Sequence, residues 1–167
     1  ALRILAIRAL PLLVALATAA VFASSLANGF VEWDDHVNFV DNPNFRGLAW
    51  KNIRWMLTTA LMGQWIPLTW LTLGMDYALW GMNPLGYHLT SVLLHVLGAL
   101  VFYTVARRLL AMATPWRGLS LAVSAGVAAL FFSIHPLRVE SVAWATERRD
   151  VLSGALEVDG KAGVFVA

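Results

Sequence analysis

The 167-residue sequence is 59% hydrophobic and 13% charged, with a mean hydropathy of +0.68, against a soluble average of about 45–50% apolar and about 25% charged. That balance excludes an ordinary water-soluble domain and marks a membrane protein. Cysteine is absent, which excludes disulfide frameworks and thiolate metal sites. The net charge of +2 comes from basic residues at the ends of apolar runs rather than on one polar face, so the chain lacks the footprint of a nucleic-acid binder.

Leu2-Arg3-Ile4-Leu5-Ala6-Ile7-Arg8 is a basic lead-in, and no charged side chain follows until Glu32. This run exceeds the ~20 residues that cross a ~30 Å hydrocarbon core, and the first span is predicted over residues 9–28. A cleaved signal peptide is the rival reading, with Ser25-Leu26-Ala27 as a small-residue cleavage site. Its apolar region normally runs only ~7–15 residues, and the greater length here favours a retained helix. Arg3 and Arg8 place the N-terminus in the cytoplasm by the positive-inside rule.

The stretch Glu32-Trp33-Asp34-Asp35-His36-Val37-Asn38-Phe39-Val40-Asp41-Asn42-Pro43 emerges on the far side and holds four of the ten acidic residues. Adjacent carboxylates at a lipid–water boundary raise each other's pKa and can take a proton or hold a cation. A solvated loop cap on a membrane helix is the plain alternative. After the Asn42-Pro43 turn signal, residues 50–57 mix Trp with Lys51 and Arg54, three apart on one face, in the pattern of an interfacial helix. The stretch 64–80 is apolar but dense in Trp and carries Asp76 internally; Trp favours the membrane–water boundary.

Further spans are predicted over 87–106, closed by Arg107-Arg108, and over 118–135, flanked by Arg117 and Arg138. With 64–80 in the interface, Arg3, Arg8, Arg107, Arg108 and Arg117 all fall on the cytoplasmic side. Three spans satisfy the positive-inside rule better than four. The outer side then receives loops of about 29–86 and 136–150. No Asp or Glu occurs between Tyr77 and Val139, so Glu140, Glu147 and Asp150 return only on the side that carries Asp34 and Asp35. If this second loop is helical, the three acids share a face. Arg148 and Arg149 beside them suit a phosphate-bearing ligand, because Arg recognises phosphate bidentately. A salt-bridged juxtamembrane helix is the alternative.

The motifs Trp33-Asp34-Asp35, Trp65-x-Pro67-Leu68-Thr69-Trp70, Asp76 to Trp80-Gly81-x-Asn83-Pro84-x-Gly86-Tyr87-His88, and His135-Pro136-x-Arg138-Val139-Glu140-Ser141-Val142-x-Trp144-x-x-Glu147-Arg148-x-Asp150-Val151-Leu152-Ser153 together resemble the N-terminal part of the GT-C O-mannosyltransferases that carry C-terminal TPR repeats. Bacterial members look closest, and the resemblance covers roughly Phe30 to Ser153. It implies an all-α membrane protein, a GT-C-like multi-spanning helical bundle with interfacial helices in the first outer loop. The implied enzyme transfers a sugar, mannose or another hexose, from a polyprenyl-phosphate donor to a protein Ser or Thr hydroxyl on the non-cytoplasmic side. In such enzymes an acidic residue of the first outer loop is catalytic, which maps onto Asp34 or Asp35. Glu32, His135, Arg138, Glu140, Glu147, Arg148, Arg149 and Asp150 are the expected substrate-binding residues, the arginines stabilising the leaving phosphate. His135 is expected to cap its loop or to donate to the phosphate.

The implied partners are the membrane, the lipid-linked sugar and an acceptor polypeptide, with no nucleic acid. The implied location is a bacterial inner membrane, multi-pass, with the catalytic loops in the periplasm. Asp34 and Asp35 with Glu32 offer the oxygen ligands of Mg²⁺ or Mn²⁺, although the resemblance includes metal-independent enzymes. His88 and His95, seven apart on one helix face, are expected as hydrogen-bonded bundle residues rather than metal ligands. The family continues with further membrane helices and the TPR array, whereas residues 156–167 do not match its next helix. The chain is therefore expected to be a piece of a longer protein and inactive alone. A non-catalytic membrane anchor or subunit, whose acidic loop binds a partner protein or a cation, is the competing reading. A small transporter is disfavoured, since only His95 is ionisable well inside the spans.

Overall fold

The computed structural model describes residues 2–32 and 35–157. Asp34 and Trp33 of the acidic motif, and the last ten residues of the tail, lie outside the described residues. All of the regular structure among the described residues is helical.

Three long apolar helices form the bundle. Helix α1 (Leu2–Phe22) continues into a tighter 3-10 turn over Ala23–Ala27. Helices α4 (Pro84–Ala113) and α5 (Gly118–Ser133) form a hairpin beside it. Numbered between them in chain order are α2 (Trp50–Thr58) and α3 (Pro67–Trp80). Two helical segments, Leu2–Ala27 and Pro84–Ala113, are long and apolar enough to cross a membrane, while α5 is apolar but has 16 residues. At 1.5 Å per residue α4 is about 45 Å long and α5 about 24 Å.

Small residues let these helices approach closely, as membrane bundles require: Ala99 of α4 and Ala125 and Ala129 of α5 are fully buried against Val14 of α1 and Tyr103 of α4. Register is fixed by polar contacts at one level. Thr18 and Ser133 share a hydroxyl–hydroxyl hydrogen bond of 2.8 Å, and His95 Nε2 donates to the Ser133 carbonyl oxygen at 2.8 Å. Phe22 meets the His95 ring edge-on. Helix α1 therefore runs antiparallel to α4, and Arg3, Arg8, Arg107, Arg108 and Arg117 gather at one end of the bundle. Asp35 lies at the other.

At the Asp35 end the first loop folds into a cap. One wide π-type turn, His36–Val40, leads to the Asn42 turn, where the Asn42 side chain accepts from the Asn44 amide at 3.0 Å. Helix α2 is amphipathic, with Asn52 and Met56 buried and Lys51 and Arg54 exposed. Helix α3 begins at Pro67, whose missing N–H costs nothing in a first turn, and ends at Gly81, whose φ of +60° needs a residue without Cβ. Asn83 then caps α4 by accepting from Leu85 N at 3.2 Å, ahead of Pro84. At 14 residues, α3 is only about 21 Å long, which agrees with an interfacial placement.

The cap has its own core: Phe45, Met56, Trp70, Leu73, Tyr87 and Ala145 are buried together. Gly74 is required there, since a Cβ would collide with the Met56 side chain and lie 3.2 Å from the Phe45 carbonyl oxygen. The second loop folds as α6 (Arg138–Ala143) and α7 (Arg148–Glu157). The latter descends alongside α4, with Val151 packed among Val92, Val142 and Phe22.

Candidate active site

The acidic first loop and the Arg-rich second loop meet through Asp35. This residue is only 2% exposed. Its Oδ2 accepts from Val31 N at 2.7 Å, and its Oδ1 accepts from both the amide (3.3 Å) and the hydroxyl of Thr146. The carboxylate is thus held by three donors from two loops 111 residues apart. His88 of α4 reaches the same corner, its Nε2 donating to the Gly29 carbonyl oxygen at 3.4 Å.

Thr146 is able to reach Asp35 because the second loop is not one helix. Trp144 is extended at φ −97°, ψ 131°, which ends α6 and leaves residues 144–147 as a turn before α7. The expectation that Glu140, Glu147 and Asp150 share one helical face is therefore corrected. Glu140 lies exposed on α6, Glu147 is buried in the turn, and Asp150 is exposed on the first turn of α7. Burial raises the Glu147 carboxyl above the usual glutamate range, against the opposing pull of Arg149.

Arg149 sits at the mouth of a cavity of about 110 Å³ that adjoins this corner, lined by Asn38, Gln64, Ile66, Trp70 and Thr146. Its guanidinium donates to Glu147 at 2.9 and 3.1 Å and to the Gln64 side-chain oxygen, and lies 3.7 Å from Asp150. Thr146 is shared: it lines the cavity and holds Asp35. The cavity mixes amide, hydroxyl and guanidinium donors with apolar walls, a surface suited to a polar ligand that also has a hydrophobic face.

Arg148, expected to meet a phosphate, does something else. It is fully buried, and its guanidinium is paired with Asp76 of α3 at 2.5 Å. It also donates to the Tyr87 carbonyl oxygen at 2.7 Å, to Ser91 Oγ at 3.2 Å and to Thr72 Oγ1 at 3.4 Å. Thr90 donates to the other Asp76 oxygen at 2.6 Å. With its guanidinium bound to four partners inside the protein and fully buried, Arg148 has no face toward a ligand. Burial pulls its pKa down, opposed chiefly by the Asp76 charge; an arginine remains a cation under such a pull.

The remaining expected residues lie elsewhere. Arg138 is half-buried at the start of α6, with its guanidinium 4.4 Å from the Phe132 ring centroid, and it lines a lateral groove of about 470 Å³ with Phe102, Phe131 and His135. His135 caps its own loop: Nδ1 accepts from Leu137 N at 3.3 Å while the ring meets Phe131 edge-on. Glu32 is exposed beside the acidic loop. Asp34, the partner needed for a paired-carboxylate or cation site, lies outside the described residues. No group of three or more potential metal-ligating side chains occurs among the described residues. Sequence reasoning missed Asp76 and Thr146. Asp76 had a signal, being the one charge in the apolar stretch 64–80; Thr146 had none.

Comparison with known proteins points in one direction. Over 141 residues the chain is 33% identical to protein O-mannosyl-transferase Tmtc1 of Drosophila melanogaster, covering 80% of this chain and 15% of that protein. Over 153 residues it is 33% identical to human protein O-mannosyl-transferase TMTC1, covering 84% of this chain and 16% of that protein. Mouse TMTC3 is 29% identical over 143 residues, 81% of this chain and 14% of its own length. No family model matches the chain, and no solved structure matches it. The matched proteins span most of the chain, and the all-α membrane bundle agrees with the GT-C-like architecture. The chain, spanning about a sixth of the length of these relatives, belongs to the TMTC family of protein O-mannosyl-transferases.

Proposed function

We propose that this chain forms the carboxylate-bearing part of a membrane glycosyltransferase that moves a hexose, mannose by analogy with its relatives, from a polyprenyl-phosphate donor to a Ser or Thr hydroxyl of a protein. The observation that carries this reading is the meeting of the two outer loops at Asp35, beside a cavity lined by Asn38, Gln64, Thr146 and Arg149. A loop that merely caps a helix has no need to bury a carboxylate against a second loop.

The chemistry follows from the residue types. One carboxylate of the Asp34–Asp35 pair takes the proton of the acceptor hydroxyl as its oxygen bonds to the sugar C1. The bond from C1 to the phosphate oxygen breaks, and the lipid phosphate departs with the electron pair. Arg149 at the cavity and Arg138 above the apolar groove supply the cations for that growing charge. Arg148 is not among them. The Phe-lined groove beneath Arg138 accommodates the isoprenoid chain while the guanidinium meets the phosphate.

The arginine end of the bundle faces the cytoplasm and the Asp35 end the outer side, by the positive-inside rule. In a bacterium this is the inner membrane with the site in the periplasm. The test is sugar transfer in membranes carrying the full-length parent, with Asp34→Asn and Asp35→Asn made separately at equal protein levels. One of the two is expected to lower transfer by about 10²–10⁴-fold, the usual contribution of a general base, with donor binding retained. Full transfer in both variants would move the function to a membrane anchor whose acidic loop binds a partner. The 167-residue chain alone is expected to transfer no sugar.

A further inference from the structure

The Asp76–Arg148 pair joins three elements that are distant in sequence: α3 through Asp76, α4 through Tyr87 and Ser91, and the start of α7 through Arg148 itself. Both side chains are sealed from solvent, at 1% and 0% exposure. Stability alone does not account for such a pair. Replacing a buried ion pair with apolar residues of similar volume is often neutral or stabilising, because desolvation offsets the attraction between the charges. What a buried pair does supply is direction: only one seating of α7 on α3 and α4 satisfies the guanidinium fork.

That seating matters at Asp35. Thr146 stands two residues before Arg148, and the turn is tightened by an Arg148 N to Ala145 carbonyl bond of 3.4 Å. A slip of α7 along α4 would carry Thr146 off the Asp35 carboxylate, taking two of its three donors. Ala145, on the other side of Thr146, is buried in the same core as Tyr87 and Trp70, so the turn has little freedom once Arg148 is anchored.

We infer that Asp76 and Arg148 are positioning residues for the reactive carboxylate loop, acting through Thr146 to fix the Asp35 side chain. This rests on the transferase reading for its consequence in activity, but the geometric link stands apart from it. Neither residue touches substrate in this scheme.

The experiment uses the full-length parent in membranes or nanodiscs, with the apolar double variant Asp76→Leu plus Arg148→Met. Three readouts are taken: thermal unfolding, hydrogen exchange at the Thr146 amide, and kcat and KM for sugar transfer. The expected result is an unfolding temperature within a few degrees of the natural protein, Thr146 exchange at least tenfold faster, and kcat at least tenfold lower with an unchanged KM for the donor. Unchanged exchange at Thr146, or transfer that recovers in step with stability, would overturn the inference, since a merely structural pair is replaceable by good apolar packing.

Should the double variant fail to fold, Arg148→Lys keeps the charge but loses the fork. Faster Thr146 exchange and a lowered kcat are expected there, and natural values of both would overturn the inference. Failure of the transferase reading shows separately. If Asp34→Asn and Asp35→Asn both leave transfer intact, that reading is lost while the exchange rate at Thr146 still decides whether the pair positions the loop.

Discussion

The two ends of this molecule are built by different means. The bundle of α1, α4 and α5 closes on small and apolar residues, with neutral hydrogen bonds among Thr18, His95 and Ser133 to set its register. The cap at the Asp35 end encloses an ion pair, a buried aspartate and a buried glutamate within a few turns of helix. In lipid, close packing needs no charge, because tails and side chains are equally apolar. Charges sealed inside the cap demand a unique arrangement, and that arrangement is where the chemistry is proposed to occur.

The comparison breaks most sharply at Arg148. Arg148→Ala leaves Asp76 buried and uncompensated and should destabilise the folded protein by about 3–5 kcal/mol, seen as a large fall in the detergent-solubilised unfolding temperature. Next is Gly74. Gly74→Val forces atoms into the Met56 side chain and the Phe45 carbonyl, and a cost of about 1–3 kcal/mol is expected for such overpacking, with the loss confined to the cap by hydrogen exchange. In the bundle, Thr18→Val removes one neutral hydrogen bond and should cost only about 0.6 kcal/mol, which unfolding in detergent would register as a shift of a degree or two. A Thr18→Val loss as great as that of Arg148→Ala would erase the distinction between the two ends.

The smallest effect belongs to Glu147. Its carboxyl is raised by burial, so the folded state holds the proton more tightly than the unfolded chain does. The stability linked to it is present below the ordinary glutamate pKa and is lost as pH rises through the raised folded value. Glu147→Gln should therefore flatten the stability profile in that window and leave it unchanged at lower pH. Thermal unfolding across a pH series checks this, and a Gln variant with the natural slope would assign the slope to another group.

The bundle was legible because its signal is one-dimensional. Charge-free runs bounded by Arg8 and Glu32, by Arg107-Arg108, and by Arg117 and Arg138 mark where helices can lie in lipid, and α1, α4 and α5 occupy those runs. The acidic motif stood out in the sequence, since adjacent carboxylates after an apolar run are costly wherever they sit, and Asp35 is buried in the structure. The pairing inside the cap was not. Arg148 and Asp76 are 72 residues apart, and Arg148 and Arg149 are identical to any pattern rule. One turns inward to Asp76 while the other faces the cavity. Only the path of the backbone through the Trp144 turn separates them. In the same way, Thr146 is an unremarked residue until that turn brings its amide and hydroxyl to Asp35.

Helix α4, with its 30 residues, is about 45 Å long, some 15 Å more than the hydrocarbon it crosses. One end of it carries Arg107 and Arg108 beyond the span, and the first turns at the other carry Tyr87, His88 and Ser91, the groups against which Arg148 and the Gly29 corner are seated. The helix thus acts as a gauge that sets the height of the carboxylate loop above the lipid surface. A bilayer of different thickness tilts or buries that gauge at a modest cost per ångström, so the height of Asp35 above the bilayer becomes a property of the membrane as well as of the protein.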